Sequence, residues 1–207
     1  MAWRPRPFPC PVTATKTFRL TAVSGAQFVL KIAAANEERD VLDLQNAAIA
    51  HLRRRESLAP CLPDVIPTLD GQPIAKVADA GRPYLVRLVT YLPGVPLAHV
   101  NPHTPDLLRD FGRFLGEVDA ALQDFRHPAM DRYLHWDMRH AADTITRHLD
   151  YQTDPDRRAL VARYLAEFEA NAAPRLPQLR RSVIHSDGND YNVLVTADMT
   201  HRAASPD

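Results

Sequence analysis

The sequence is poor in cysteine, with two in 207 residues, and neither belongs to a metal-binding or redox pattern. Cys10 and Cys61 form no Cys-x-x-Cys pair, and no cysteine and histidine have the spacing of a zinc site. One disulfide between the two is open in principle, whereas so few cysteines favour a reduced intracellular chain. The cysteines therefore give no indication of a metal site.

Excess charge of one sign and long apolar runs are also absent. The 25 basic and 25 acidic residues cancel, so the composition gives no support to general nucleic-acid binding. No stretch approaches the roughly 18 apolar residues of a membrane span. The first residues contain arginines but no apolar core of the kind found in signal peptides. We therefore expect a cytoplasmic protein.

The first hundred residues have the patterns of strands and turns. Residues 1–15 are rich in proline and are expected to form a poorly ordered arm. Residues 16–20 and 27–32 are predicted strands, joined by a hairpin turn at Ser24-Gly25. Two further strands are predicted over residues 74–77 and 84–91, the second of which ends at Pro93-Gly94.

A single helix is predicted between these strand pairs. Asn36 can cap it, and apolar residues at helical spacing continue to Leu52. The run Arg53–Arg55 follows directly. It is either a basic patch or, as we expect, a solvated helix end whose positive charges suit the helix dipole.

The second half of the sequence is mainly helical in pattern. Thr104-Pro105 is an N-cap pair, and apolar residues then repeat at steps of three and four as far as Phe125. Further helices are predicted over residues 137–149 and from Asp154, the latter burying Leu160, Val161, Tyr164, Leu165 and Phe168. Short strands are predicted at 181–184 and 192–195, and the tail after Thr200 has no strand pattern. The fold class is thus α+β, with a β lobe over 16–94, a hinge at 89–94 and a helical lobe over 95–207.

The loop between the two short strands has the clearest chemical pattern, His185-x-Asp187-x-x-x-x-Asn192. Phosphoryl transfer requires a carboxylate that orients and deprotonates the attacking hydroxyl, together with oxygen ligands for Mg²⁺. Asp187 and Asn192 can supply one of each. The alternative is a turn in which Asp187, Gly188 and Asn189 serve backbone geometry. His185 either braces the loop by hydrogen bonding or takes part in the chemistry.

Two further features support a nucleotide site. Lys31 lies inside an apolar strand, where kinases place a lysine that binds the nucleotide phosphates. The alternative is an exposed strand face on which Lys31 extends into water. The segment from Leu88 to Gly94 can act as a hinge whose backbone groups bind the edge of a base.

These features occur in the order of a kinase-like fold, and the sequence resembles the aminoglycoside phosphotransferase and choline kinase superfamily. The segments VLKIAAANEERDVLDLQNAAIAHL, GRFLGEVDAALQDFRHPAMDRYLHWDMRHA and VIHSDGNDYNVLV are most similar to hydroxylysine-kinase-like proteins, whose domains also occur fused to class III aminotransferases. The resemblance implies a kinase that uses Mg²⁺ and ATP or GTP, with a small hydroxylated amine as acceptor. It implies catalytic Asp187, metal-binding Asn192, phosphate-binding Lys31, and a base site at Thr90, Tyr91 and Leu92.

The sequence departs from this family in three places. The family has a second metal-binding Asp on the strands after the loop, and here only Asp198 and Asp207 follow, in unlike contexts. The phosphate-covering turn before Phe18 lacks glycine. The helix glutamate that is expected to pair with Lys31 aligns best with Gln45, and the alternatives are Asp43, Glu37 and Glu38. These departures lead us to expect an incomplete chain that is not a competent kinase, with Val193–Val195 left as an unpaired edge.

Two alternatives to an active kinase remain, namely an inactive kinase-like fragment that acts as a binding module, and an unrelated helical interaction protein. For the acceptor, Trp136 and Asp137 offer an aromatic face and a carboxylate that suit a cationic amine. Equally, they could be a core tryptophan and a helix N-cap aspartate.

Overall fold

An antiparallel sheet forms first along the chain. The structure is a computed structural model that describes residues 15–79 and 81–196 and the backbone of 203–204. Its first strands are β1 (Lys16–Thr21) and β2 (Gln27–Ile32), and they form the predicted hairpin. Gly25 in the turn has a φ of +87°, a conformation that glycine adopts without a steric penalty. The predicted arm lies almost wholly outside the described residues.

Strand β5 is the centre of this sheet. The sheet also contains β3 (Val65–Ile66), β4 (Ala75–Asp79) and β5 (Arg82–Thr90). The strand order is β1-β2-β5-β3, and β4 also pairs with β5. All pairs are antiparallel, as predicted, and the β2–β5 register sets Lys31 opposite Arg87.

Helix α1 (Arg39–Leu52) follows β2, as predicted, but it begins later than expected. The predicted cap at Asn36 is wrong, since Glu38 occupies the N-cap position and makes no side-chain capping bond. Asn36 instead lies in a turn in which the Glu37 N–H donates to the Ala34 carbonyl over 2.9 Å. The helix buries an apolar face of Val41, Leu42, Leu44, Ile49 and Leu52.

The strongest predicted helix, α2 (Pro105–Ala121), is confirmed. The Thr104 hydroxyl caps it by accepting a hydrogen bond from the Leu107 N–H, 3.2 Å away. The helix ends earlier than predicted, with Leu122 at the C-cap, yet Phe125 beyond it is still buried. One core cluster joins the ends of α1 and α2; its buried members are Leu52, Leu58, Cys61, Leu62, Phe114, Val118, Ala121, Leu122 and Phe125.

A second, smaller sheet corrects two expectations about the end of the chain. It consists of β6 (Val95–Pro96), β7 (Leu194–Val195) and β8 (Ala203–Ala204), with β7 in the middle. The expected unpaired edge at Val193–Val195 is therefore wrong, as is the expectation of a tail without strand structure. The strand predicted over 181–184 is also wrong, because those described residues pair with no strand. Its two apolar residues, Val183 and Ile184, are too few to specify a strand.

The described chain divides into two compact units, one comprising residues 130–181 and the other the remainder. This division does not follow the predicted lobe boundary after residue 94, which stays a prediction. The smaller unit contains α3 (Ala141–His148) and α4 (Pro155–Asn171), and the Asp154 carboxylate caps α4 by accepting from the Arg157 N–H over 3.1 Å.

The predicted burial of the apolar residues of α4 is wrong. No residue of this helix is buried, and Leu160 and Tyr164 are 48% and 56% exposed. Its neighbours in the same unit are the short helix α3 and the turns at 149–151 and 173–178, which cover only part of its surface.

Among the described residues, no helix combines the length and hydropathy that a membrane crossing requires.

The core at the end of α2 yields a testable prediction with a matched control. Leu122 is 2% exposed and Leu108, at the start of the same helix, is 49% exposed. Leu122→Ala should lower the free energy of unfolding by about 2–5 kcal/mol, because it leaves a cavity in a packed cluster. Leu108→Ala should change it by less than about 1 kcal/mol. Urea denaturation measures both, and equal effects would show that this cluster is not the core.

Candidate functional site

The loop over residues 185–192 is held at both ends by apolar packing. Before the loop, Val183 packs against the core cluster at the end of α2. After it, Val193 is 1% exposed and packs with Leu97, and the Leu97 N–H donates to the Val193 carbonyl over 2.9 Å. The Ala98 N–H donates to the carbonyl of Asp190 inside the loop, over 2.8 Å. The polar segment is therefore fixed to the protein on each side.

Two side-chain amides hold the carboxylate of Asp187. Asn189 Nδ2 donates to Asp187 Oδ1 over 2.6 Å, and Asn192 Nδ2 donates to Asp187 Oδ2 over 2.7 Å. Asn192 Nδ2 also donates to the backbone carbonyl of Asp187, 3.1 Å away. Asp187 is nevertheless exposed to solvent. The structure thus brings together the predicted catalytic carboxylate and the predicted metal-binding amide, with the carboxylate in a fixed orientation.

Asn189 has a second role, in the turn that closes the loop. Its Oδ1 accepts hydrogen bonds from the backbone N–H groups of Tyr191, at 2.9 Å, and Asn192, at 3.2 Å. A side chain that bonds the backbone in this way replaces a backbone turn. The backbone role that we considered for Asn189 is therefore real, but the same residue also orients Asp187. The sequence signal for this role was an asparagine two residues after the aspartate.

The backbone beside Asp187 is unusual. Ser186 has a φ of +68°, in the left-handed region that residues other than glycine rarely adopt. Gly188 lies against α2, where a β-carbon would stand 3.2 Å from Leu115 Cδ2. Strained conformations of this kind persist where the surrounding structure imposes them, and they are concentrated at functional sites. Helix α2 is therefore the support on which the loop rests.

Helix α2 also contributes a charged group near His185. Partial burial raises the pKa of the Asp119 carboxyl, and the nearby His185 opposes this change. Asp119 was not predicted from the sequence, where it appeared as an ordinary polar residue of an amphipathic helix. His185 is half-buried, and its predicted role in supporting the loop stays a prediction.

Lys31 lies in β2, half-buried and opposite Arg87 of β5. Gln45, the predicted helix partner of Lys31, accepts a hydrogen bond at Oε1 from Arg87 Nη2. The neighbouring buried Asn46 accepts from Arg87 Nη1 at 3.0 Å. The α1 amides therefore bind the arginine across from the predicted lysine, and a bond between Gln45 and Lys31 stays a prediction. Arg87 was not singled out from the sequence.

The predicted hinge leaves β5 at Thr90. The Thr90 N–H donates to the Asp64 carbonyl over 2.9 Å, and the Tyr91 N–H donates to the Gln27 carbonyl over 3.2 Å. Leu92 packs against the core cluster, and its N–H donates to none of the described backbone carbonyls. Of the three backbone N–H groups of Thr90, Tyr91 and Leu92, the first two are thus hydrogen-bonded within the protein.

Trp136 and Asp137 lie in the smaller unit. Trp136 is 85% exposed, so the reading as a core tryptophan is wrong. Asp137 caps a short turn, with its Oδ1 accepting from the Arg139 N–H at 2.9 Å and its Oδ2 accepting from Arg139 Nε at 2.9 Å. These hydrogen bonds hold the pKa of Asp137 below its usual value, and nearby charges on Arg139 and His140 add to the effect. The predicted contact with an acceptor stays a prediction.

The oxygen atoms of the loop match the ligands that Mg²⁺ prefers. The amide oxygen of Asn192, the predicted metal ligand, is a hard donor that could share the ion with nucleotide phosphates. In the described parts of the chain, no group of three or more His, Cys, Asp or Glu side chains could hold a metal ion. The two later aspartates considered from the sequence, Asp198 and Asp207, lie outside the described residues.

Comparisons with known proteins identify relatives of this chain. The chain is 28% identical to hydroxylysine kinase of Danio rerio over 201 residues, which is 92% of this chain and 55% of that protein. It is 27% identical to hydroxylysine kinase of Mus musculus over 206 residues, 90% of this chain and 53% of that protein. The chain thus spans about half the length of the curated relatives it matches.

Solved structures show the same fold. The amicoumacin kinase in complex with AMP-PNP, Ca²⁺ and Ami superposes with a TM-score of 0.70 at 15% identity, covering 94% of this chain and 56% of that one. The microcompartment-associated aminopropanol kinase gives 0.66 at 19% identity, covering 92% and 63%. The predicted two-lobed, kinase-like α+β fold is therefore confirmed.

The family follows from the extent of the sequence match. Residues 11–203 match the phosphotransferase enzyme family, a span that includes Lys31, the hinge and the whole loop around Asp187. The predicted superfamily is thus confirmed on nearly the full sequence, and this chain belongs to the phosphotransferase enzyme family.

Proposed function

We propose that the chain is a small-molecule kinase domain that transfers the terminal phosphate of ATP or GTP to a hydroxyl of a small amine or amino acid such as hydroxylysine. Family membership and the names of the relatives support the reaction class. The observation that carries the proposal is the exposed Asp187 carboxylate, bonded on its two oxygens by Asn189 and Asn192.

Asp187 is the proposed base. A carboxylate that accepts the hydroxyl proton must be held within hydrogen-bonding distance of the acceptor and in a fixed orientation. The amides of Asn189 and Asn192 fix both oxygens without adding a positive charge that would compete for the proton. This arrangement suits proton acceptance from an acceptor hydroxyl on the exposed side of the loop.

The nucleotide is proposed to bind along the strand side of the same unit. Lys31 of β2 is the proposed cation for its phosphates. At the hinge, the N–H groups of Thr90 and Tyr91 are bonded within the sheet, so Leu92 is the proposed backbone donor to the base. Mg²⁺, when bound, would neutralise the phosphate oxygens, and the amide oxygen of Asn192 would be its ligand from this loop. A cytoplasmic location is part of this proposal, since it provides the nucleoside triphosphate.

The competing hypothesis is a kinase-like domain that binds nucleotide and transfers nothing. The described residue that favours it is Gln45, which stands where the family has a glutamate and which bonds Arg87. The hypothesis differs from the kinase proposal in one measurement. Purified chain that binds AMP-PNP but forms no phosphorylated hydroxylysine from ATP or GTP would favour the binding module.

Asp187→Asn tests the proposed base. The substitution keeps the shape of the side chain but removes its capacity to take a proton, so kcat should fall by at least about 100-fold. The affinity for AMP-PNP should change by less than about twofold, because the base acts mainly in the transition state. Release of ADP with hydroxylysine as acceptor measures the first quantity, and titration calorimetry measures the second.

The matched control for this experiment is Asp190→Asn. Asp190 is exposed on the same loop, and its backbone carbonyl, rather than its carboxylate, bonds to Ala98. Its substitution should leave kcat within about threefold of the unsubstituted value. Equal losses in the two variants would remove Asp187 from the chemistry.

Asp137→Asn separates a structural role from acceptor binding. The pKa of Asp137 is lowered in the fold, so its stabilisation is present above the unfolded-state value near 4 and is lost as the pH falls through the folded value. Asparagine can still cap the turn but cannot form the ion pair with Arg139, so at pH 7 the variant should lose less than about 1 kcal/mol of unfolding free energy. The difference should shrink by pH 3. Urea denaturation at both pH values measures this.

The same variant tests the acceptor prediction by kinetics. If Asp137 binds the ammonium group, the KM for an amino alcohol should rise while the KM for a neutral alcohol of similar size stays constant. An equal change in both KM values would leave Asp137 with its capping role alone.

A further inference from the structure

We infer that Arg53, the first residue of the Arg53–Arg55 run, is a positioning residue for the nucleotide-binding hinge. The inference rests on the proposed function, because it assigns Arg53 a purpose at the segment Thr90–Leu92. It also corrects the reading of this run as a uniformly solvated helix end. Arg53 is half-buried, whereas Arg54 and Arg55 are exposed.

The guanidinium of Arg53 binds the loop that leaves α1. Its Nη1 donates to two backbone carbonyls, that of Ala59 at 2.9 Å and that of Leu62 at 2.7 Å. Its Nη2 lies 3.4 Å from Asp64 Oδ2. Asp64 is more than half exposed, so this ion pair is a weak contributor compared with the two charge-assisted bonds to backbone. One side chain thus fixes three points on the segment 59–64.

That segment is bonded in turn to the end of β5. The Asp64 N–H donates to Thr90 Oγ1 over 2.8 Å, and the Thr90 N–H donates to the Asp64 carbonyl over 2.9 Å. The next residues, Val65 and Ile66, pair with Val89 and Leu88. Arg53 is therefore linked to Thr90, the first residue of the proposed hinge, through the segment 59–64. Its hydrogen bonds hold the Ala59 and Leu62 carbonyls, and two further hydrogen bonds join Asp64 of the same segment to Thr90.

Apolar packing alone does not set this geometry. Leu58, Cys61 and Leu62 are buried and locate the segment against the core cluster. Hydrophobic contact is non-directional, however, and it does not fix the orientation of the Asp64 peptide groups that bond Thr90. The directional bonds from Arg53 supply this constraint. They should matter for the hinge backbone more than for overall stability.

The experiment compares Arg53→Met with Arg54→Met and Arg55→Met in the full 207-residue chain. Each substitution removes one positive charge from the same run, so net charge and nearby composition are matched. Arg53→Met should raise the Kd for AMP-PNP about tenfold, and the two controls should stay within about twofold. Arg53→Lys, which keeps a single donor group, should recover part of the loss.

A second measurement separates hinge positioning from general destabilisation. Amide hydrogen exchange should become faster at Thr90 in Arg53→Met than in the controls, while exchange within α2 stays unchanged. An unaltered Kd in a chain that does bind AMP-PNP, or unaltered Thr90 exchange, would overturn the inference. If the unsubstituted chain binds no nucleotide, the proposed function fails, and the exchange measurement alone decides whether Arg53 holds Thr90.

Discussion

The antiparallel pairing of β2 with β5 is the constraint on which the proposed nucleotide-binding side of the protein depends. It sets Lys31 opposite Arg87, and Arg87 in turn binds the amides of Gln45 and Asn46 on α1. A shift of one residue would turn every side chain of the strand to the other face of the sheet. Because β5 also pairs with β3 and β4, its register positions the whole sheet and the hinge that follows it.

The parts of the fold that the sequence predicts well are those encoded over short distances. The β1–β2 hairpin depends on Gly25, and the start of α2 depends on Thr104-Pro105; both are local signals, and both are present in the structure. The pairing of β7 with β6 and β8, in contrast, joins residues far apart in sequence, and two or three apolar residues do not specify it. The exposure of α4 was missed because helical spacing indicates a face to be covered but not what covers it.

The residues of the candidate site can likewise be divided into those that a local sequence pattern indicates and those that depend on the fold. Asp187 and Asn192 belong to a recognisable local pattern, and the structure joins them through one amide. The supporting groups in the structure are Asn189 and Arg87, and Arg53 is proposed as a third. Sequence reasoning gave Asn189 only a turn role and gave the arginines none. Each acts through a partner whose identity depends on the fold, and an arginine by itself carries no mark of such a role in the sequence. Polar residues that support a site therefore have to be found from their bonds.

The small sheet connects the segment that follows the proposed hinge with the segment that follows the loop around Asp187. Strand β6 begins three residues after Leu92, and β7 begins two residues after Asn192. Pairing of β6 with β7 thus joins the segment after the proposed hinge to the segment after the loop around Asp187 through two residue pairs. A β-carbon at Gly94 would lie 2.9 Å from Leu194 Cβ, so the junction has no room for a side chain. Any side chain introduced at Gly94 would therefore displace β7, the strand that leads directly out of the loop around Asp187.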